Sequence, residues 1–355
     1  MSKRGLIFTL ALLIIILFSF IALYFGYFLI SPAGIDKKEI IFLVKKGSGL
    51  RTVANELQRK SLIKSKDLFI LCAILKGGTK DIKAGEYSLN QSMSPVTIFT
   101  ILSTGAIKTY TLTIPEGLTA QQIADLLATK NLVNIREFIS LVRDKTLAAS
   151  YKIDGTNLEG YLFPDTYVIS RDTGARELID LMITRFQKIF TALIKDQEST
   201  TDRLLSANDI VTLASIVEKE GGRAEEKPIV ASVFLNRLKK RMRLESDPTV
   251  IYGLKNFNGN LKKKDLRTPG PYNTYLNYGL PPGPIANPGR ESLMAVIKPA
   301  KTNCLYFVAK NDGSHHFSAS LSEHNKAVYQ YQKRRGSISK KVTIQPPRHK
   351  DPKKR

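Results

Sequence analysis

Apolar and polar positions divide the chain into one uncharged N-terminal stretch and a series of amphipathic elements. The stretch Gly5–Ile30 holds 26 positions without a charge. A helix of that length reaches about 39 Å, against a hydrocarbon core of about 30 Å, so the pattern predicts a single transmembrane helix over residues 5–30. Because Lys3 and Arg4 precede it, residues 1–4 are expected in the cytoplasm and residues 31–355 outside the inner membrane. A cleaved signal peptide is the alternative, although this apolar stretch is long for one.

A weak internal repeat follows the apolar stretch. Residues 44–47 precede an apolar helical pattern at 53–57, and residues 114–117 precede a similar pattern at 123–127, an offset of 70 positions. Each copy predicts a strand, a turn at glycine, an amphipathic helix and then a second short helix. This order resembles the LysM-type glycan-binding module. A small α+β unit used twice as a spacer is the alternative.

Helical spacing of apolar residues also marks the middle of the chain. Residues 175–197 form one long amphipathic pattern. A capping box at 206–209 opens a second helix, which the glycine pair 221–222 ends. A third helix is predicted from Pro228, a residue suited to a first turn. Before these helices, residues 157–169 combine glycine, proline and three aromatic residues and predict a packed turn that enters a strand.

Glu218 is the candidate for acid chemistry because it lies in the last turn of the second of these helices. By spacing it shares a face with Ala214 and Ser215, so its side chain borders the buried face. Glu220 points roughly the opposite way, towards solvent or another segment. Burial and the negative end of the helix dipole both disfavour a carboxylate, so we expect the pKa of Glu218 to be raised. A neutral acid near pH 7 can protonate a glycosidic oxygen. An ordinary helix-end glutamate is the alternative.

Polar and aromatic side chains downstream form a second set of candidates. Arg237 lies on the apolar face of the third helix, and a buried arginine needs a partner, for which Asp247 is nearby. Tyrosine rings and amide groups, frequent in loop 271–289, suit sugars because they stack on ring faces and bond hydroxyl groups. A structural ion pair and a rigid connector are the alternatives. The supporting or substrate-binding candidates are Glu220, Asn236, Arg237, Asp247, Tyr252, Tyr272, Asn273, Tyr275 and Asn287.

The charge of the chain is strongly positive and uneven. Lys and Arg number 54 against 31 Asp and Glu, a formal net charge of +23. Nucleic acid, anionic lipid and wall polymer all attract such a protein, but placement outside the membrane argues against nucleic acid, and none is expected. The excess concentrates in 37–110 and in the tail 333–355. The tail is either a solvated segment or a contact for anionic lipid or wall polymer.

The sequence predicts neither a cofactor nor a metal. Two cysteines, Cys72 and Cys304, exclude a disulfide scaffold and a cysteine-based zinc cluster. His315 and His316 are adjacent, so on a strand their side chains point to opposite faces.

Six ordered sequence blocks carry a resemblance to a known family. They are Glu218–Glu220, Val233–Leu238, Asp247–Val250, Tyr272–Tyr275, Gly279–Ile285 and Asn287–Gly289. Together they are similar to the MltG (YceG-like) family of endolytic peptidoglycan transglycosylases anchored in the inner membrane. The resemblance covers nearly the whole chain. It implies that Glu218, the first residue of the Glu-Lys-Glu block, is the catalytic residue.

The resemblance also implies a reaction. Glu218 would protonate the oxygen between N-acetylmuramic acid and N-acetylglucosamine, and the muramoyl C6 hydroxyl would then close on C1 to leave a 1,6-anhydro end. Cleavage of nascent strands near the membrane would end glycan elongation, with peptidoglycan strands as substrate and cell-wall synthases (penicillin-binding proteins) as possible partners. A non-enzymatic, membrane-anchored peptidoglycan-binding protein is the alternative.

These inferences give an expected architecture of the α+β class. After the transmembrane helix, residues 31–110 form a LysM-like membrane-proximal module. Residues 111–332 form a mixed α+β catalytic domain in the periplasm, with the second LysM-like repeat at 111–150, and 333–355 form the basic tail.

Overall fold

The computed structural model of the chain describes residues 3–77, 82–130, 132–195, 205–310 and 312–333. Most of the predicted basic tail therefore lies outside the described residues. The protein is a mixed α+β structure of two compact units. The first unit contains the chain up to Leu112 together with Val168–Thr173, and the second contains Thr113–Tyr167 and the chain from Gly174 onward.

The first unit combines the N-terminal helix with a small sheet and three helices. Its elements are α1 (Lys3–Ile30), β1 (Ile40–Val44), α2 (Leu50–Arg59), α3 (Lys66–Leu75), β2 (Gly85–Leu89) and α4 (Pro95–Thr104). The strands β1 and β2 are antiparallel, in a register that runs from Ile40 opposite Leu89 to Val44 opposite Gly85. The sheet and α2–α4 enclose a core that includes Phe42, Leu57, Phe69, Tyr87 and Leu102.

The helix α1 is long and apolar enough over Ile7–Ile30 to cross a membrane. Most of its large apolar side chains over this range are exposed, but near its end Phe25 and Leu29 are partly buried and Phe28 is buried. This end of α1 contacts α3 and α4 of the same unit. The Lys64 amine also donates to the hydroxyl of Ser31 at 2.9 Å. The predicted span is therefore a continuous helix, and its last turn is part of the packing of the first unit.

A second strand pair, β3 (Tyr110–Thr113) with β4 (Thr166–Ile169), contains positions at which the chain changes unit. Between these strands lie α5 (Ala120–Thr129), α6 (Ile135–Val142) and α7 (Lys145–Ser150). The order strand, helix, helix, strand thus occurs in both halves of the sequence repeat, with one additional short helix in the second. The predicted strand and paired helices of each copy are present, and a likeness to LysM modules stays a prediction.

The second unit is mainly helical around one core. After α7 its elements are α8 (Ala175–Lys195), α9 (Ala207–Glu220), α10 (Lys227–Lys239), α11 (Asp247–Gly253), α12 (Arg290–Ile297), β5 (Tyr306–Ala309), β6 (His315–Ser318) and α13 (Leu321–Val328). The central helix α9 packs against α10, α11 and α12. Its residues 210–217 are all buried, which makes it the core helix of this unit.

The ends of α9 follow from its sequence. Ser206 accepts from the Asp209 N–H while the Asp209 carboxylate accepts from the Ser206 N–H, so the predicted capping box is confirmed. At the other end Gly221 takes a φ of +73°, a conformation that costs glycine least. The helix therefore stops directly after Glu220, which fixes Glu218 in the last turn.

Candidate functional site

Glu218 lies where the buried face of α9 meets the surface. Val211, Ala214 and Ser215, on the same face, are fully buried, and the Glu218 side chain is 10% exposed. The prediction that Glu218 borders the buried face is confirmed.

Three donors hold the Glu218 carboxylate. The Ser292 hydroxyl donates to Oε2 at 2.6 Å and the Gly289 N–H donates to the same oxygen at 3.1 Å. The Lys227 amine lies 3.3 Å from each carboxylate oxygen. Hydrogen bonds and a neighbouring cation favour the charged form of a carboxylate. The carboxylate of Glu218 therefore has polar partners that its position at the edge of the buried helix face does not predict.

Two glycine-containing loops lie over Glu218. In the first, a Cβ added at Gly117 would be 3.4 Å from the Glu218 Cγ, and the positive φ of this residue (+75°) also favours glycine. In the second, a Cβ added at Gly289 would overlap the Glu116 carboxyl group. The Gly117 N–H donates to the Asn287 carbonyl at 2.9 Å and ties the loops together. The close approach of the loops brings the Gly289 N–H to Glu218.

Glu220 points to another segment and not to solvent, which was one of the two orientations that the sequence allowed. The Ser246 hydroxyl donates to its Oε1 at 2.5 Å. Burial of this carboxyl group raises its pKa to about 7, and the charge of Asp247 also raises it, while the Ser246 hydrogen bond and Arg237 lower it. Asp247 in turn accepts from the Tyr275 hydroxyl at 2.6 Å. Three predicted site residues, Glu220, Asp247 and Tyr275, therefore form one cluster.

Glu159 is a second buried carboxyl group, to which the sequence analysis gave no role. Its Oε1 accepts from the Ala120 N–H at 2.9 Å and from the Asn287 amide at 3.0 Å, and the Tyr252 hydroxyl donates to Oε2 at 3.2 Å. Burial raises the pKa of Glu159 to about 7, although all of these donors lower it. The Tyr252 ring also packs against Tyr272, with centroids 4.8 Å apart.

The expected pairing of Arg237 with Asp247 is wrong. The Arg237 Nη1 lies 3.2 Å from Glu245 Oε2, and its guanidinium also donates to the carbonyls of Leu305, Arg243 and Leu244. Arg237 is buried, and these acceptors meet the requirement that a buried arginine be paired. It supports the segment that carries Ser246.

The three candidate asparagines use their amide groups within the protein. Asn287 is fully buried, and its Oδ1 accepts from the Gly160 and Leu162 N–H groups, both at 2.9 Å. Asn236 donates to carbonyls of the 302–304 segment, and Asn273 donates to those of 266 and 268. Their contacts are those of supporting residues.

Among the residues that the structure describes, no group of three His, Cys, Asp or Glu side chains is placed to hold a metal ion. His315 pairs with Glu226, with Nδ1 2.9 Å from Oε2.

A sequence model of the YceG-like family matches residues 42–330 of the chain. The chain belongs to the YceG-like family. A Bacillus subtilis (strain 168) protein named endolytic murein transglycosylase is 34% identical over 327 residues, which is 87% of this chain and 90% of that relative. A Streptococcus pneumoniae (strain R6) protein of the same name is 32% identical, and the match spans 87% of this chain and 62% of the pneumococcal protein.

A YceG-like protein of Listeria monocytogenes of known crystal structure has a similar fold. Its TM-score is 0.56 at 33% identity, and the match covers 82% of this chain and all of that one. The resemblance inferred from the six sequence blocks is therefore confirmed at the level of the family.

In this member of the YceG-like family, sequence reasoning missed the partners of Glu218. Lys227, Gly289 and Ser292 are respectively 9, 71 and 74 positions from it. Glu116 belongs to the second copy of the repeat, about a hundred residues before Glu218, and Gly289 belongs to the last family block, about seventy residues after it. No spacing rule links positions so far apart in sequence. The proline that begins α10 was the one local signal, because it places Lys227 at a helix start beside α9.

Proposed function

We propose that the protein is an endolytic murein transglycosylase that cleaves the bond between N-acetylmuramic acid and N-acetylglucosamine in nascent glycan strands. The relatives' names and the family match make the chain an enzyme of the lytic transglycosylase class. One observation supports the assignment of the chemistry to Glu218. Its carboxylate is held by three donors at the end of a core helix, under two loops, and the side chain is 10% exposed.

In the first half of the reaction Glu218 acts as general acid. Its proton passes to the glycosidic oxygen as the bond from that oxygen to C1 of the muramoyl residue breaks, and positive charge develops at C1. In the second half the Glu218 carboxylate takes the proton of the muramoyl C6 hydroxyl. The C6 oxygen then bonds to C1 and leaves a 1,6-anhydro end, so Glu218 is protonated again and no water is consumed.

The contacts of Glu218 suit the second half of this cycle directly. After the first proton transfer the carboxylate is ionised, and the Ser292 hydroxyl, the Gly289 N–H and Lys227 all stabilise that charge. The same donors fix the direction in which the carboxylate points. The cluster around Glu220 and the tyrosines of residues 252–275 are proposed to support the site or to contact the sugar chain.

The helix α1 would hold the enzyme at the membrane, with its N-terminus in the cytoplasm and both units outside the inner membrane, in the periplasm. Cleavage near the membrane would end the growth of new strands. The LysM-like order of the first unit is proposed to contact glycan, and cell-wall synthases are the protein partners that the family resemblance implies.

The test is product analysis with the full-length chain in detergent and uncrosslinked glycan strands. The parent protein should give 1,6-anhydro ends by mass spectrometry, and Glu218→Gln should lower the rate by about 10²-fold or more because the general acid is lost. Glu225→Gln, at an exposed glutamate seven positions along, is the matched control and should keep the parent rate.

Two outcomes would overturn this proposal. A product heavier by one water would mean hydrolysis rather than transglycosylation. Glycan binding without any cleaved product, unchanged in Glu218→Gln, would favour the non-enzymatic peptidoglycan-binding protein.

A further inference from the structure

Lys227 is shared by two carboxylates. Its amine lies 3.3 Å from both oxygens of Glu218 and 3.9 Å from Oε2 of Glu116. The Lys227 and Glu218 side chains are 11% and 10% exposed, whereas Glu116 is 49% exposed. One buried cation therefore faces two anions, which leaves a local excess of one negative charge when both carboxyl groups are ionised.

The other charged groups around Glu218 do not remove this excess. On α9 itself, the Lys219 amine turns to the Gly117 carbonyl at 3.2 Å. From the start of α12, Glu291 adds a negative charge that acts on Glu116. From α11, Asp247 acts on Glu220, and next to the start of α10, Glu226 is occupied by His315.

Glu116 belongs to one of the two loops that cover the site and contacts the other. Its carboxyl group lies against Gly289, so closely that a side chain at position 289 would overlap it. The same Gly289 donates its N–H to Glu218, and the hydrogen bond from Gly117 to Asn287 holds the loop of Glu116 in place. The Glu116 carboxyl group thus lies beside the loop that donates to Glu218, while about half of its side chain is exposed.

We propose that Glu116 is a positioning residue that competes with Glu218 for Lys227, so that Glu218 can bind the proton that the reaction requires. This inference rests on the proposed function, in which Glu218 is first an acid and then a base. With Lys227 alone beside it, Glu218 would be held as a carboxylate, which suits only the second half of the cycle. A second carboxylate weakens that hold and makes proton uptake by the pair easier.

The electrostatics of Glu116 agree with this arrangement. Burial raises the pKa of Glu116, the charge of Glu218 raises it further, and Lys227 lowers it. The charges of Glu218 and Lys227 thus act on Glu116 in opposite directions.

The test is the pH dependence of kcat/KM for glycan cleavage by the full-length chain in detergent. The alkaline limb of that profile reports the loss of the proton from the acid in the free enzyme. Glu116→Gln removes the competing charge, so the alkaline limb should move to lower pH by roughly one unit. Lys227→Met removes the cation, so the alkaline limb should move to higher pH by a similar amount.

The opposite signs separate positioning from damage to the fold, because a merely structural defect would lower the rate without moving the limb. Lys227→Arg keeps the charge and should retain the parent limb, and Glu225→Gln should leave the whole profile unchanged. If Lys227→Met fails to fold, Glu116→Gln, at a half-exposed side chain, still tests the inference.

If the alkaline limb of the pH profile does not move in Glu116→Gln or Lys227→Met while Glu218→Gln is inactive, the proposed competition for Lys227 is wrong. The proposed function would still stand. Full activity of Glu218→Gln would instead overturn the proposed function itself.

Discussion

Glu159 and Glu220 are the described carboxyl groups whose pKa values burial raises to about 7. Glu218, nearby on the same helix as Glu220, has a lysine and two neutral donors on its carboxylate instead. The protein thus contains glutamates in two kinds of surroundings, one that disfavours charge and one that stabilises it. The sequence could not tell which glutamate has which surroundings, because the partners of each carboxyl group come from distant segments of the chain.

Glu159→Gln should reduce the pH dependence of stability. In the folded protein the pKa of Glu159 is raised from 4.5 to about 7, so its favourable contribution is complete below pH 4.5 and is lost as the pH rises through 7. The parent should therefore lose up to about 3 kcal/mol of unfolding free energy over this window from this group, and Glu159→Gln should not. Thermal unfolding of both proteins in detergent between pH 5 and 8 measures the difference. Equal slopes for the two proteins would contradict the prediction, and Glu225→Gln serves as the exposed control.

At the scale of elements, the site depends on how one helix ends and how two loops close over that end. Gly221 stops α9 two residues after the proposed acid. The loops at 115–117 and 287–289 approach each other because Asn287 joins them to the segment 159–162 through its side chain. The buried amide of Asn287 therefore orients Gly289, whose N–H reaches Glu218.

Gly289→Ala should lower glycan cleavage by about tenfold or more. The added methyl group would take the place of the Glu116 carboxyl group and push this flexible end of the side chain away from Lys227. The charge that competes for Lys227 would then be lost, and one unit of pKa change in an acid corresponds to about tenfold in its ionisation constant. Initial rates of anhydro-end formation measure the loss. Gly270→Ala is the matched control, because this loop glycine faces open space and should accept the substitution. A parent-like rate for Gly289→Ala would show that the Glu116 carboxyl group can leave this position without consequence.

Local signals predicted the elements well and the contacts between them poorly. Capping at Ser206 and the glycine pair after Glu220 are short-range effects, so the sequence predicts both ends of α9. The partner of Arg237 depends on the backbone at Glu245, which has a positive φ of +51°. Spacing could not choose between Glu245 and Asp247, two positions apart. Ser292 reaches Glu218 only because α12 packs on α9, which no local pattern encodes.

At the scale of the whole molecule, α1 and the first unit belong together. Phe28 is buried and the end of α1 contacts α3 and α4. The end of the membrane-crossing candidate is therefore itself part of the packed structure, and residues 31–39 lead from it to β1.

The full chain should stay with membranes after an alkaline wash, whereas a chain that begins at Phe25 should be released. The shortened chain keeps Phe28 and its packing but loses most of the apolar helix, and about 20 apolar residues are needed to span a membrane. Fractionation and immunodetection provide the measurement. A second version that begins at Ser31 lacks Phe28 and should unfold at a lower temperature than the version from Phe25. Release of the full chain by the wash would contradict a spanning helix.

The segment Val168–Thr173 belongs to the first unit although its neighbours on both sides belong to the second. Arg171 from this segment lies 3.1 Å from the buried Glu86 of the first unit. The polypeptide consequently crosses between the units at three places, and no single break point yields two intact halves. A protein cut or fused after residue 112 would lack the six residues Val168–Thr173 of the first unit. The N-terminal unit could therefore not be transferred to another protein as one continuous segment.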